Sequence, residues 1–241
     1  AKTIDCTFQA KGERLRVALE RIRQEAEEAV RGGCEQLILT DEKVGPDRAP
    51  VPMILATSAV HSHLTRQGLR AFSSITVRSG ECLDVHYFAV LIGVGATAVN
   101  PYLAEAAIAD RHARGLFPNL TLAECLARYK EAVDQGLLKI MSKMGISIIS
   151  SYRGGLNFEA VGLSRSGARE YFPGLGSPIS GLGLTGIKNT IRELHARAYD
   201  EAEPPLAIGG FYRYRRGGEQ HGYEARMVHQ LQQAVATDSY A

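Results

Sequence analysis

The sequence predicts an α/β fold, in which a parallel sheet built from βαβ units is flanked by helices. Short apolar segments alternate with amphipathic segments between residues 36 and 150, and the connections between them are short. This alternation is typical of βαβ units. Hydrophobic residues make up 45% of the 241 residues, which is enough for a packed core. Glycine and proline are dense beyond residue 153, so the C-terminal third is predicted to be turn-rich.

The first predicted helix extends from about residue 13 to residue 31. Its apolar side chains recur at three- and four-residue steps, which places them on one face: Leu15, Leu19, Ile22, Ala26 and Val30. A Gly-Gly pair then provides a stop signal. The apolar run at 36–40 follows directly and predicts a buried strand.

The same two patterns predict the later elements. Helices are expected over residues 53–66, 83–92, 103–114 and 122–144, and strands over residues 72–78, 97–100 and 146–150. Gly136 interrupts the pattern of the fourth of these helices and divides it in one interpretation. Beyond residue 153, helices are expected over 186–200 and 225–234.

Charge and cysteine content exclude several classes of function. The 28 basic and 26 acidic residues give a net charge of +2, so neither nucleic acid nor an anionic membrane is expected as a partner. The cysteines are far apart and form no C-x-x-C pair, which predicts reduced thiols and no metal site: Cys6, Cys34, Cys82 and Cys125. The sequence shows no signal peptide and no apolar run long enough for a bilayer, so a cytoplasmic location is expected.

The segment 93–98 fits the pattern G-x-G-x-x-A. Such glycines let a backbone approach a pyrophosphate when a strand precedes them and a helix follows. Here a strand and then Asn100-Pro101 follow instead. The favoured interpretation is a helix-to-strand turn with glycines at positive φ.

Ser142 and Lys143 are the candidate cofactor-binding residues. They lie in the segment 139–143, which resembles the lysine-serine-lysine loop of class I aminoacyl-tRNA synthetases, but the accompanying histidine signature is missing. Lys143 could contact a phosphate or a carboxylate. The alternative, which the sequence favours, is a solvated lysine at a helix C-terminus.

Two other polar groups carry weaker signals. His61 and His63 are two positions apart, which on a helix directs them to different sides, so a shared metal ion is not expected. The run 212–216 alternates tyrosine with arginine. As a strand it would present tyrosines on one face and arginines on the other, either for nucleotides or, as the sequence favours, for an interdomain contact.

Four longer segments together resemble the large subunit of glutamate synthase. Their prolines and glycines match in place, and the similarity covers nearly the whole chain, with the bacterial NADPH-dependent form the nearest. The segments begin with LILTDEK, VHYFAVL, YKEAVDQ and GGFYRYR and comprise residues 37–70, 85–104, 129–164 and 209–224.

The resemblance implies a position inside a larger oxidoreductase of ammonia assimilation and glutamate biosynthesis. Large subunits of that family carry a glutamine amidotransferase domain, a central domain, an FMN-binding barrel and a β-helix. Ammonia from glutamine reaches the flavin site, where it joins 2-oxoglutarate and is reduced to glutamate. By resemblance, residues 1–153 are the later part of the central domain, with a partial barrel-like arrangement. Residues 154–241 are the start of the FMN-binding domain or an interdomain segment.

No catalytic, cofactor or metal residue of the family is carried over to this sequence. It lacks the amidotransferase's N-terminal cysteine, the clustered cysteines of the iron–sulfur centre and the glycine-rich flavin-phosphate segments. No cofactor is therefore expected in this chain, whereas FMN and an iron–sulfur cluster are expected in the whole protein. The expected partners are the other domains of the large subunit and the NADPH-oxidising small subunit.

The predicted function is that of a scaffold, inactive alone, which links the amidotransferase and FMN sites. One alternative is a self-contained FMN- or phosphate-binding α/β oxidoreductase, suggested by the glycine-rich stretch 174–186 together with Lys143. Another is an interaction module that presents residues 209–224. A scaffold piece is also expected to expose an apolar patch larger than the ~300–600 Å² of a typical monomer, around residues 150–185.

Overall fold

The computed structural model describes residues 1–200 and 208–239, which divide into two compact units. The first unit comprises residues 1–196, and the second begins at residue 197. The first unit is an α/β structure with helices around a parallel sheet, which confirms the predicted fold class. Among the described residues, no helix has the length and apolar character needed to cross a membrane.

The strands of the described residues are short. In chain order they are β1 (Lys2–Asp5), β2 (Thr7–Gln9), β3 (Gln36–Thr40), β4 (Arg48–Pro50), β5 (Ser74–Arg78), β6 (Ala98–Asn100), β7 (Glu159–Leu163) and β8 (Gly176–Leu182). The helices are α1 (Leu15–Arg31), α2 (Met53–Arg66), α3 (Val85–Gly93), α4 (Tyr102–Ala113), α5 (Leu122–Lys143), α6 (Ile149–Tyr152), α7 (Arg165–Tyr171), α8 (Leu184–Ala198) and α9 (Ala225–Thr237).

The main sheet has four strands in the order β1-β3-β5-β6, and every neighbouring pair is parallel. Consecutive strands are joined by α1, α2 and α3, so the sheet is built from the βαβ units that the alternation predicts. Leu37 and Leu39 of β3 and Ile75 and Val77 of β5 are fully buried. The sequence pattern did not predict β1, which supplies an edge of this sheet.

The hydrophobic core lies between the sheet and the first two helices. All five apolar positions predicted for one face of α1 are buried, and they share a cluster with Met53, Val60 and Leu64 of α2. Burial of a leucine-sized side chain contributes roughly 1.5–3 kcal/mol. The α1–α2 pair is therefore a main source of stability for the first unit.

A small antiparallel ribbon, β2–β4, lies beside the main sheet and was also missed by the sequence analysis. Arg48 donates from Nη2 to Asp5 Oδ2 at 2.9 Å and from Nε to Thr7 Oγ1 at 2.8 Å. Three-residue strands carry too little period-two pattern to be read from sequence, and proline at position 50 counts against a strand.

Helix α5 is continuous through Gly136, so the interpretation that this glycine divides it was wrong. The helix begins at a capping box formed by Thr121 and Glu124. Gly136 faces Val85 of α3, and a Cβ there would lie only 2.5 Å from Val85 Cγ1. The glycine therefore permits close approach of two helices and does not break one of them.

The strand predicted over 146–150 was wrong. The N–H of Ile146 donates to the carbonyl of Met141 at 2.9 Å, and Gly145 has φ +70°, so the backbone closes the end of α5. The short helix α6 follows. Ile146 packs on a small cluster that includes Met141 and Tyr152. Its apolar character therefore serves a helix terminus and not a sheet.

The glycine-rich stretch 174–186 contains a strand that the sequence analysis did not predict. β8 pairs in parallel with β7 and places Val161 beside Ile179. A Cβ at Gly181 would lie 2.1 Å from the carbonyl oxygen of Gly162, so glycine is needed where the two backbones meet. With α7 between them, the strands form a further βαβ unit.

The second unit contains α9 and a loop stabilised by backbone hydrogen bonds, such as Glu219 N–H to Gly209 O at 2.9 Å. The alternating strand suggested for 212–216 is wrong: these residues form bends, irregular backbone and the start of a turn. Phe211 and Tyr212 stack edge to face with ring centroids 5.1 Å apart, and both are exposed.

Candidate functional site

The carboxyl ends of the parallel strands are the place where open α/β sheets usually bind ligands. Asp41 follows β3 there and is buried. It accepts hydrogen bonds from Ser79 Oγ at 3.1 Å and from the Gly80 N–H at 3.0 Å. Burial raises the pKa of Asp41, and these hydrogen bonds oppose that shift.

Glu81 provides a second, half-buried carboxylate at the same edge. It accepts from the Met53 N–H at 2.9 Å, which caps the first turn of α2, and from the Tyr87 hydroxyl. Burial raises the pKa of Glu81 and of Tyr87. The donors to Asp41 lie in the loop after β5, and the donors to Glu81 lie in α2 and α3. Both carboxylates therefore hold neighbouring segments of the chain together. The hydrogen bonds at this edge of the sheet stabilise the fold.

The described residues show no metal centre. No three or more of their His, Cys, Asp and Glu side chains are grouped so that they could hold a metal ion. All four cysteines lie in the described part of the chain and are free thiols. Burial raises the pKa of the Cys82 thiol to about 12, so it stays protonated at neutral pH.

The opposite end of the sheet carries a cavity of about 730 Å³, which we call the basic pocket. Its wall is formed by residues before β3, β5 and β6 together with one face of α2 and the end of α6: Glu35, His61, Thr65, Arg70, Ala71, Phe72, Ser73, Ser74, Thr97 and Arg153. Arg70 is held by three hydrogen bonds. It donates to His61 Nδ1 at 3.0 Å and to the carbonyls of Ser73 at 2.5 Å and Gly95 at 2.9 Å.

His61 is a neutral side chain at physiological pH. Its burial, together with the positive charges of Arg70 and Arg153, lowers its pKa from 6.5 to about 4. Because its Nδ1 accepts from Arg70, the proton of the neutral ring is on Nε2. His63 lies on another side of α2 and makes a contact of 2.6 Å with Glu27 Oε2. The two histidines thus have separate surroundings, as their spacing predicts.

The G-x-G-x-x-A segment is a helix-to-strand turn, as the favoured interpretation has it. α3 ends at Gly93, and β6 begins at Ala98. Gly95 has φ +120°, and a Cβ there would lie 2.3 Å from His61 Nδ1. Gly95 therefore lies directly against His61, whereas Gly93, at the end of α3, lies against Phe158. Of these two glycines, only Gly95 has the positive φ that the interpretation predicts.

Ser142 and Lys143 are exposed residues at the end of α5. The carbonyl of Ser142 accepts the N–H of Gly145 at 3.1 Å, within the turn that closes the helix. The structure does not bring their side chains together with the basic pocket or with Asp41 and Glu81. Lys143 has the surroundings of a lysine at a helix C-terminus.

The basic pocket was not predicted from the sequence because its residues are far apart in the chain. His61, Arg70 and Arg153 belong to three segments, and no short motif joins them. Positive charge without a neighbouring acidic residue in SYRGGLN was the one local signal around Arg153. It has meaning only when the fold places it beside α2.

The family model and the similar proteins found by comparison all belong to one family. The family model described as "Glutamate synthase central domain" matches residues 1–164. The chain is 61% identical over its whole length to the glutamate synthase [NADPH] large chain of Azospirillum brasilense, and 40% identical to that of Bacillus subtilis. The ferredoxin-dependent glutamate synthase of Pyropia yezoensis is 38% identical over 90% of this chain. The chain spans about 16% of the length of the two bacterial relatives and 15% of the Pyropia protein.

Proposed function

The chain belongs to the glutamate synthase central-domain family, and we propose that it acts as a scaffold within a glutamate synthase large chain. The observation that carries the proposal is the match itself. All 241 residues align with a large chain at 61% identity, yet they span only 16% of it. In this role the chain links a glutamine amidotransferase site to an FMN site and contributes a rigid wall to the path of ammonia between them.

Hydrogen bonds between polar groups of the chain itself support a structural role. At the carboxyl edge of the sheet, the hydrogen-bond donors to Asp41 and Glu81 are supplied by the chain itself. A path for ammonia needs packed walls that exclude water, and a βαβ core in which Leu37, Leu39, Ile75 and Val77 are fully buried provides such a wall. These features favour a scaffold over a catalytic centre in this part of the large chain.

The proposal extends to cofactors and partners. FMN and the iron–sulfur cluster would be bound by other domains of the large chain, and electrons from NADPH would arrive through a small subunit. Residues 1–153 would close the central domain, and residues 154–241 would lead into the FMN-binding domain. The cytoplasmic location and a role of Ser142 or Lys143 at a bound group stay predictions.

The pair β7–β8 supports docking against the rest of the large chain. Parallel sheets are normally covered on both faces. Val161 is 71% exposed and its partner Ile179 is 61% exposed, while Leu182 at the end of β8 is 51% exposed. These residues lie in the region where the sequence predicts an apolar patch. We propose that a neighbouring domain of the large chain covers them.

The cofactor part of the proposal is tested by the absorbance spectrum of the purified chain, before and after incubation with excess FMN and desalting. We expect no retained flavin band. A band that survives desalting in a stoichiometric amount would contradict the assignment of FMN to another domain. The family match does not favour a self-contained oxidoreductase, and such a band would be the observation needed to revive that alternative.

A further inference from the structure

The basic pocket has an excess of hydrogen-bond donors. A guanidinium has five N–H donors, and Arg70 uses three of them on His61, Ser73 and Gly95. Arg153 is exposed, and within residues 1–200 and 208–239 its side chain has no hydrogen-bond or ion-pair partner. The Nε2–H of His61 is a further donor, and in this tautomer the ring has no free acceptor.

The positive charge of the pocket is not balanced by an ion pair. In the described part of the chain, neither Arg70 nor Arg153 has a carboxylate within salt-bridge distance. Burial first, and then the charge of Arg153, lowers the pKa of Arg70. Glu35 is the one acidic residue of the lining, and it is exposed. Two arginines against one carboxylate leave the pocket with a net charge of +1.

Ser73 is an independent indication of a missing partner. It lines the same pocket, is 8% exposed, and its buried hydroxyl has no hydrogen-bond partner. A buried hydroxyl without a partner costs about 1–3 kcal/mol, and a polar group bound in the pocket would remove this cost. Rotation about a single side-chain bond would redirect this hydroxyl.

We propose that the basic pocket binds a small oxyanion, a phosphate or a carboxylate, with Arg70 and Arg153 as its charged donors and His61 Nε2–H as a neutral donor. Guanidinium groups bind both oxyanions through charge-assisted hydrogen bonds. The cavity of about 730 Å³ has room for an organic molecule that bears such a group. The proposal goes beyond the scaffold role, because it concerns binding of a small molecule by side chains of the first unit.

The test is calorimetric titration of the whole chain at pH 7 with inorganic phosphate and, separately, with succinate, at constant ionic strength set by sodium chloride. The key variant is Arg153→Gln, because this exposed side chain holds no other part of the fold. The matched control is Arg111→Gln, which removes the same charge from an exposed position on α4, outside the pocket. Arg70 is left intact because it also ties two loops together.

We expect saturable one-site binding of at least one of the two anions. Arg153→Gln should weaken it by about tenfold or more, as expected for one lost charge-assisted hydrogen bond, and Arg111→Gln should leave it unchanged. Binding of both anions in mutual competition would define a general oxyanion site. Binding of one alone would show whether the site takes a phosphate or a carboxylate. In NMR titrations the bound anion should also raise the pKa of His61.

Absence of saturable binding by both anions would overturn the proposal. Equal weakening by the Arg153 and Arg111 variants would overturn it as well, because the effect would then reflect net charge alone. A bound anion that leaves the His61 resonances unchanged would place binding elsewhere and would also refute the site.

Discussion

The surroundings of His61 determine the pH at which its ring takes up a proton, and this pH can be measured. We expect its ring to be half protonated near pH 4, well below the ordinary value of 6.5. The unfolded chain takes up this proton near the ordinary value, so the contribution of His61 to stability is lost as the pH falls from about 6.5 towards 4. NMR titration of the histidine ring protons measures this directly.

The Arg153→Gln variant is the matched test of the cause. It removes one of the two positive charges that lower the pKa of His61, so the measured pKa should rise, whereas Arg111→Gln should not change it. A His61 that titrates near 6.5 in the native chain would refute the buried position against Arg70 that the structure gives.

Gly95 makes a second prediction at the scale of the residue. Gly95→Ala places a Cβ 2.3 Å from the ring of His61 at a backbone φ of +120°, so both steric overlap and backbone strain oppose it. We expect a loss of roughly 2–4 kcal/mol in the free energy of unfolding. Gly115→Ala is the control, since Gly115 also has positive φ, at +72°, but open space around it.

The control should lose only about 1 kcal/mol, the cost of the backbone conformation alone. Urea denaturation of the two variants and the unaltered chain measures both effects. Equal losses at the two positions would mean that the contact with His61 contributes nothing.

At the scale of the element, the packing of α5 on α3 depends on Gly136. Glycine to alanine inside an exposed helix normally stabilises by about 0.5–1 kcal/mol. Here the new Cβ would lie 2.5 Å from Val85, so we expect Gly136→Ala to destabilise the chain by about 1 kcal/mol instead. Urea denaturation measures the sign, and a gain in stability would contradict the close approach of the helices.

The double variant Val85→Ala, Gly136→Ala shows whether the two positions act on each other. Removal of the Val85 methyl groups should relieve the overlap. The double variant should therefore lose about 1 kcal/mol less free energy of unfolding than the two single variants lose together. Additive losses would assign the effect of Gly136 to something other than Val85.

The elements that the sequence predicts correctly are those with their own period. α1 carries five apolar residues at helical spacing, and β3 is an apolar run between turn signals. β8 was missed because glycine weakens a strand pattern, and only its neighbour Gly162 explains Gly181. The run 146–150 has strand-like composition, but the end of α5 uses its backbone. Short strands and helix ends are decided by contacts that a local pattern does not contain.

The basic pocket could not be predicted for the same reason at a larger distance. The sequence showed His61 as one of two histidines that do not share a metal ion, and Gly95 as part of a turn. Their contact with each other and with Arg70 arises only when α2, α3 and β5 pack. Ser142 and Lys143 were chosen from a local motif, and they lie at an exposed helix end.

At the scale of the whole molecule, substitutions on the exposed face of β7–β8 should have different effects in the isolated chain and in the large chain. Val161→Lys should change the stability of the isolated chain by less than about 0.5 kcal/mol, because this side chain is 71% exposed. The same change inside a large chain should be harmful if a neighbouring domain covers it, since a buried lysine without a partner is costly. Thermal denaturation of the isolated variant provides the first half of this comparison.

The central claim is that this chain acts as a scaffold of a glutamate synthase large chain, and replacement tests it most directly. The 241 residues would replace the matching segment of the Azospirillum brasilense large chain, to which they are 61% identical. The measurement is the amount of glutamate formed for each glutamine hydrolysed in the assembled enzyme, with Val161→Lys and, as an exposed control, Glu131→Lys in the same chimera. We predict that the chimera and the control form glutamate at the ratio of the native enzyme, and that Val161→Lys releases free ammonia or fails to assemble. A chimera that folds and hydrolyses glutamine but forms no glutamate, or a Val161→Lys variant with the native ratio, would contradict the account.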